Sequence, residues 1–124
     1  MTLLITPGEW TVGSSADFPL PAVDCVKPDG QPVEICTCWN TSPTERSDVR
    51  NEENEANAKA ISAVPQMIMA LITAREFISA ERNSFADCNI NHDGTFEQCD
   101  QEILRDYDQA LLQINGALQK AGVA

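Results

Sequence analysis

The chain has 124 residues, with nineteen acids against eight bases, one histidine, five cysteines and 43% hydrophobic residues, which allows one compact domain and leaves no room for a second independent core. A formal net charge of −11 argues against nucleic acid or an anionic membrane as a direct partner, because either would need a basic face. A chain of this size removes roughly two-thirds of its unfolded surface from water without staples, so stability does not require the cysteines.

Met1–Ile5 has no basic leader, long apolar centre or cleavage pattern, so the expectation is a cytoplasmic protein with reduced thiols. Residues 1–40 form the β-rich part. Residues 1–44 hold all but one of the seven prolines, which breaks a helical period and leaves room for short strands and turns. Trp10-Thr11-Val12 is a strand candidate after the Thr6-Pro7-Gly8-Glu9 turn. Val23–Val26 and Val33–Trp39 flank Lys27-Pro28-Asp29-Gly30 and should pair as a hairpin. In the latter strand Val33, Ile35, Thr37 and Trp39 alternate with Glu34, Cys36, Cys38 and Asn40, predicting one bulky apolar face and one face bearing both thiols. Trp10 and Trp39 read as packing residues.

Residues 41–55 contain a single aliphatic side chain, Val49, and read as a linker. A helical hairpin is expected over residues 52–122. Its first helix has a wide apolar stripe through Ala60, Ile61, Val64, Met67, Ile68, Leu71, Ile72, Ala74 and Ile78. A break is expected at Ser62–Pro65, since proline lacks the N–H for a bond four residues back. The apolar runs Ile61–Val64 and Met67–Ile72 fall far short of a bilayer span. The last helix repeats Ile103, Tyr107, Leu111, Ile114, Leu118 and Ala121 at three- and four-residue steps. Thr95-Phe96-Glu97-Gln98 fits a capping box and Gly122 a stop. The expected fold is α+β: a single domain over residues 1–124, with a small antiparallel sheet of about three strands packed on an antiparallel helical hairpin that carries an acidic loop over residues 84–100.

Two segments carry a resemblance. Thr6-Pro7-Gly8-Glu9-Trp10-Thr11-Val12 and the seventeen residues from Glu55 to Leu71, EANAKAISAVPQMIMAL, resemble small accessory proteins of bacteriophages and prophages. Those proteins carry TPGPW-x-V near the start, a short DG hairpin, an EANA-x-LI-x-x-A-P-x-LL-x-AL helix and a closing AL-x-KA-x-G. Asp29-Gly30 and Ala117-Leu118-Gln119-Lys120-Ala121-Gly122 match the other two features. Glu9 stands at the second proline of TPGPW, and Met67-Ile68 replace the leucine pair. The resemblance implies a phage origin, an accessory, host-directed role in the host bacterial cytoplasm, and no catalytic residues to transfer.

Chemistry-bearing residues gather near the end of the chain. Asn89, Asn91, Asp93, Thr95, Glu97 and Asp100, aligned on Gly94, resemble the twelve-residue calcium loop of EF-hands and dockerins. With asparagine first and aspartate last, only three carboxylates remain, so any calcium site would be weak. The alternative is a His92-Asp93-Gly94 turn feeding a capped helix. Cys25, Cys36, Cys38, Cys88 and Cys99 with His92 lack the C-x-x-C spacing of a zinc site, and buried reduced thiols are expected instead. With one histidine and no phosphate-cradling glycine loop, an enzyme is not expected.

The charge is uneven. Between Glu76 and Asp108 there are nine acids against Arg82 and Arg105, accounting for seven of the eleven net negative charges. Such runs commonly form a solvated face. The sharper reading has Asp87, Asp93, Glu97, Asp100, Glu102, Asp106 and Asp108 entering the basic channel of a nucleic-acid-binding host protein, with carboxylates standing in for phosphates. That would make the chain an inhibitor of antiviral defence of the anti-CRISPR or anti-restriction kind. A calcium-binding helix-loop-helix is one alternative. Another is a homo-oligomeric scaffold paired through the Ile61–Ile78 stripe.

Overall fold

The structure, a computed structural model, describes residues 6–15, 20–38 and 47–123. Trp39, expected at the end of a strand, lies outside them. The elements in chain order are β1 (Trp10–Ser14), β2 (Pro21–Val26), β3 (Pro32–Thr37), α1 (Ser47–Ser62), α2 (Val64–Asn89) and α3 (Gln98–Lys120), an α+β arrangement. They divide into two compact units, with the boundary inside α2 between Met67 and Ile68.

In the first unit the three strands form an antiparallel sheet in the order β1-β2-β3. The β2–β3 turn closes as the sequence predicts. Gly30 N–H donates to the Lys27 carbonyl (2.8 Å), Lys27 N–H to Gln31 (2.9 Å), and the Asp29 side chain accepts from Gln31 N–H (3.0 Å). Gly8, at φ 114°, lies so close to β2 that a Cβ there would stand 2.7 Å from the Val26 carbonyl oxygen. Only glycine tolerates both that backbone angle and that approach. The same turn is held by Trp10 Nε1–H on the Thr6 carbonyl (3.0 Å) and the Cys25 thiol on the Pro7 carbonyl (3.2 Å).

The predicted alternation of β3 does not hold along its whole length. Asp24 pairs with Glu34 but Val23 with Cys36, leaving Ile35 as an extra residue. One inserted residue inverts the side to which every later side chain points. Ile35, Cys36 and Cys38 therefore pack in one cluster with Val23, Ala58, Trp10 and Ile61, and no separate thiol face exists. Burial raises the Cys38 thiol pKa, and the adjacent Cys36 raises it further.

The helix over the sheet is α1, which packs on β1 and β2. It starts at Ser47, inside the stretch read as a linker, so there are three helices among the described residues. The reason is the kind of stripe it buries: Asn54 and Ala58, one turn apart, are enclosed, and Ile61 packs beside them. A surface of small and amide side chains has no hydrophobic period, yet it fits closely on a sheet. Asn54 is 2% exposed, and no buried side-chain polar atom among the described residues lacks a partner. The expected break is present. α1 ends at Ser62, whose hydroxyl bonds the Lys59 carbonyl (2.7 Å), and Pro65 takes the second position of α2, where a missing N–H is harmless.

The second unit, described from Ile68 to Val123, is the antiparallel pair of α2 and α3. Arg82 on α2 meets Asp108 on α3 at 2.7 Å, Arg75 donates to Asn115 (3.4 Å), and the Phe85 and Tyr107 rings lie 6.1 Å apart. Gly122, at φ 79°, ends α3 with its N–H on Gln119 (3.0 Å), while Val123 N–H bonds Leu118 (2.9 Å). This is the Schellman pattern, and its apolar contact pair, Leu118 and Val123, is buried. No single helix among the described residues is long and apolar enough to cross a membrane.

Candidate functional site

The closed end of the hairpin collects the calcium-motif residues Asn89, Asn91, Asp93, Thr95, Glu97 and Asp100, with Asp87 and Glu102 beside them, and the local chain makes its own turn there. Asp93 Oδ1 accepts from the Thr95 N–H (3.0 Å) and the Thr95 hydroxyl (2.6 Å). Gly94 takes φ 84°, and Asn91 N–H donates to the Thr95 carbonyl (2.8 Å). The two bonds from Thr95, the hydroxyl's first, hold the Asp93 carboxyl below the usual carboxylate range.

That capture moves the helix start. Thr95 was expected to cap α3 with Gln98 reaching back, but its hydroxyl is engaged by Asp93, and the residue at the cap is Glu97, with no side-chain capping bond. Gln101 instead donates from Nε2 to the Phe96 carbonyl (2.9 Å). Asp100 in the first turn complements the positive end of the helix.

Five of the six oxygen residues of the calcium-loop motif make local side-chain contacts. Asn89 belongs to the last turn of α2, its amide donating to the Phe85 carbonyl (2.7 Å). Asn91 donates to the Thr95 hydroxyl oxygen (3.2 Å), Asp93 closes the turn, and Asp100 is half-buried beside the Cys99 thiol (3.8 Å). Among the described residues no group of three or more His, Cys, Asp or Glu side chains is placed to hold a metal ion. Cys88, Cys99 and His92 are exposed.

The seven acids singled out for a partner separate into three settings. Asp87, Asp93, Glu97 and Glu102 are exposed around the closed end, while Asp100 is half-buried. Asp108, with its side chain 55% exposed, is paired with Arg82. Asp106 borders an apolar groove of about 280 Å³ lined by Ile78, Ile103, Tyr107 and Ala110. Neither this groove nor the enclosed Asn54 was foreseen. The groove did leave a signal: Ile103, Tyr107, Ala110, Ile114, Ala117 and Ala121 keep a 4-3-4-3-4 spacing alongside the stripe Leu104, Leu111 and Leu118, so α3 has more apolar face than one partner helix can cover.

Comparison of the chain with family models, curated proteins and solved structures gives no match.

Proposed function

We propose that this chain is a non-enzymatic binding protein that presents the acidic closed end of its helical hairpin to a basic surface on a protein partner. The observation that carries the reading is the concentration of seven of eleven net negative charges between Glu76 and Asp108, with Asp87, Asp93, Glu97 and Glu102 exposed to solvent. Carboxylates fixed on helices and a self-closed turn form a preordered negative surface. Such a surface steers association with a basic patch and loses its effect as salt screens it. In the setting implied by the phage resemblance, the partner is a nucleic-acid-binding host protein, and occupation of its phosphate-binding channel inhibits antiviral defence.

The test uses residues away from both the Arg82 pair and the groove. Tagged protein is used to capture partners from bacterial lysate, with a variant carrying Asp87→Lys, Glu97→Lys and Glu102→Lys beside it. Capture of a basic protein should weaken steadily above about 0.15 M salt and disappear in the variant. DNA should compete with the chain for that protein. Capture unchanged by the three reversals, or unaffected by DNA, would overturn the reading.

A further inference from the structure

We propose that two copies of this chain pair antiparallel through the groove of the α2–α3 hairpin, forming a four-helix layer with its two-fold axis at the groove. The surface shares only Ile78 with the Ile61–Ile78 stripe on which the sequence suggests self-association and is otherwise built by α3, and the inference does not rest on the acidic end as a docking surface.

Position gives the first argument. The groove is lined by Ile78 on α2 and by Ile103, Tyr107 and Ala110 with Asp106 at its border on α3, and its Ile78 and Ala110 lie near the midpoint of both helices as they run through this unit, Ile68–Asn89 and Gln98–Lys120. Full overlap of two antiparallel hairpins requires the axis at that midpoint. A hollow at the axis receives the same side chains from both copies, as an isologous interface demands.

Shape follows from the spacing of α3. Counting outward from Ala110, Ile103 and Ala117 stand seven residues to either side. Rotation about an axis at Ala110 sets Ile103 of one copy against Ala117 of the other, a large residue on a small one at each end of the seam. This alternation lets facing helices interdigitate, and the alanines let their backbones approach closely. Ile103 is 41% exposed although it borders the groove, and Ala117 is exposed, so both are available to a facing helix.

Charge selects the direction of the second copy. Residues 76–108 carry seven net negative charges, whereas residues 68–75 and 109–123 carry Arg75, Lys120 and no acid. An antiparallel second copy sets each acidic half over a basic half and brings Lys120 near the first turns of the other α3. A parallel copy would superpose two acidic halves, a repulsion in each pair of facing ends. The hairpin is thus complementary to itself in one orientation, and the resulting dimer displays two acidic ends pointing in opposite directions.

The test uses the full chain. Light scattering during gel filtration should give twice the 13.5 kDa chain mass. Ala110→Arg should return the monomer mass with helical circular dichroism retained. Leu112→Glu, on an outward face of α3 at 70% exposure, should remain dimeric, which separates loss of pairing from loss of folding. Direction is read by crosslinking in a Cys88→Ser, Cys99→Ser background: mixed Ile103→Cys and Ala117→Cys chains should oxidise to a heterodimer, and Ile103→Cys alone should stay uncrosslinked. A monomer mass for the unaltered chain at about 100 μM, well above the dissociation constants of stable dimers, a dimer unaffected by Ala110→Arg, or an Ile103→Cys homodimer would each overturn the proposal.

Discussion

The least hydrophobic helix of this protein fully encloses two of its described residues, and the most hydrophobic one encloses a single residue. α1 is built largely from Glu, Asn, Ser and Ala, yet Asn54 and Ala58 are enclosed against the sheet. α2 carries Met67, Met69 and Phe77 more than half exposed, and Ile68 is its one buried residue among those described. The difference teaches that burial follows the number of neighbouring layers more than apolar content. A helix on a sheet meets a broad surface, and even alanine is covered there. A helix in a two-helix layer meets one ridge of side chains, so a wide apolar face is left over. In the hairpin unit that leftover face is what a partner can use, whereas in the sheet unit α1 packs on β1 and β2.

The contrast is tested most sharply by two truncations of similar chemistry. Val23→Ala removes two methyl groups from a fully enclosed site and should destabilise the chain by about 2–3 kcal/mol, combining ~0.8 kcal/mol per methylene with a cavity term. Leu112→Ala removes more carbon from α3 but should change stability by less than about 0.5 kcal/mol. Guanidinium unfolding followed by tryptophan fluorescence reports the first, because both tryptophans lie in the first third of the sequence, and far-UV circular dichroism reports the second. Equal effects would break the contrast. Gly8→Ala should cost about 2 kcal/mol, since the new Cβ meets the Val26 carbonyl oxygen and the positive φ disfavours alanine. The same denaturation experiment checks it, and the hairpin signal should not respond.

On the hairpin the polar interactions are exposed and correspondingly small. Arg82→Ala breaks the pair with Asp108 and should lower stability by about 0.5 kcal/mol in low salt and by less in 0.5 M salt, since exposed pairs are screened. Urea titrations at the two ionic strengths measure the difference. The smallest effect concerns the turn. The Asp93 carboxyl is held low by its bonds from Thr95, so it favours the folded turn above the unfolded value near ~3.9 and loses that contribution as pH falls through its lowered folded value. Carboxyl NMR titration should show Asp93 protonating at lower pH than a free aspartate. Thr95→Val, which retains the backbone N–H bond but not the hydroxyl, should move that protonation upward.

Much of this was legible in the residues. Lys27-Pro28-Asp29-Gly30, Pro65, His92-Asp93-Gly94 and Gly122 each act through backbone angle, a missing donor or a side-chain bond to a residue two places on, which are local properties, and the turn, the helix break, the hairpin loop and the helix stop fall where those residues set them. The antiparallel pairing of α2 and α3 follows from two apolar periods joined by a short turn. Charge segregation along the chain is likewise a property of order alone, and it locates the acidic end.

Other features depended on what lies across from a residue. Nothing about Ile35 marks it as the inserted residue of β3. The bulge arises from the register against β2, and with it the joining of Cys36 and Cys38 to the core. Asn54 looks like solvent-facing linker until a sheet is laid against it. Thr95 is an equally good helix cap or turn partner, and the reach of Asp93 decides between them. The sequence therefore determined where the chain turns, stops and concentrates charge, because those follow from each residue's own backbone and ionisation. Which faces are covered, and which groove is left open at the middle of the hairpin, was decided only by tertiary structure, because burial is a property of pairs of surfaces.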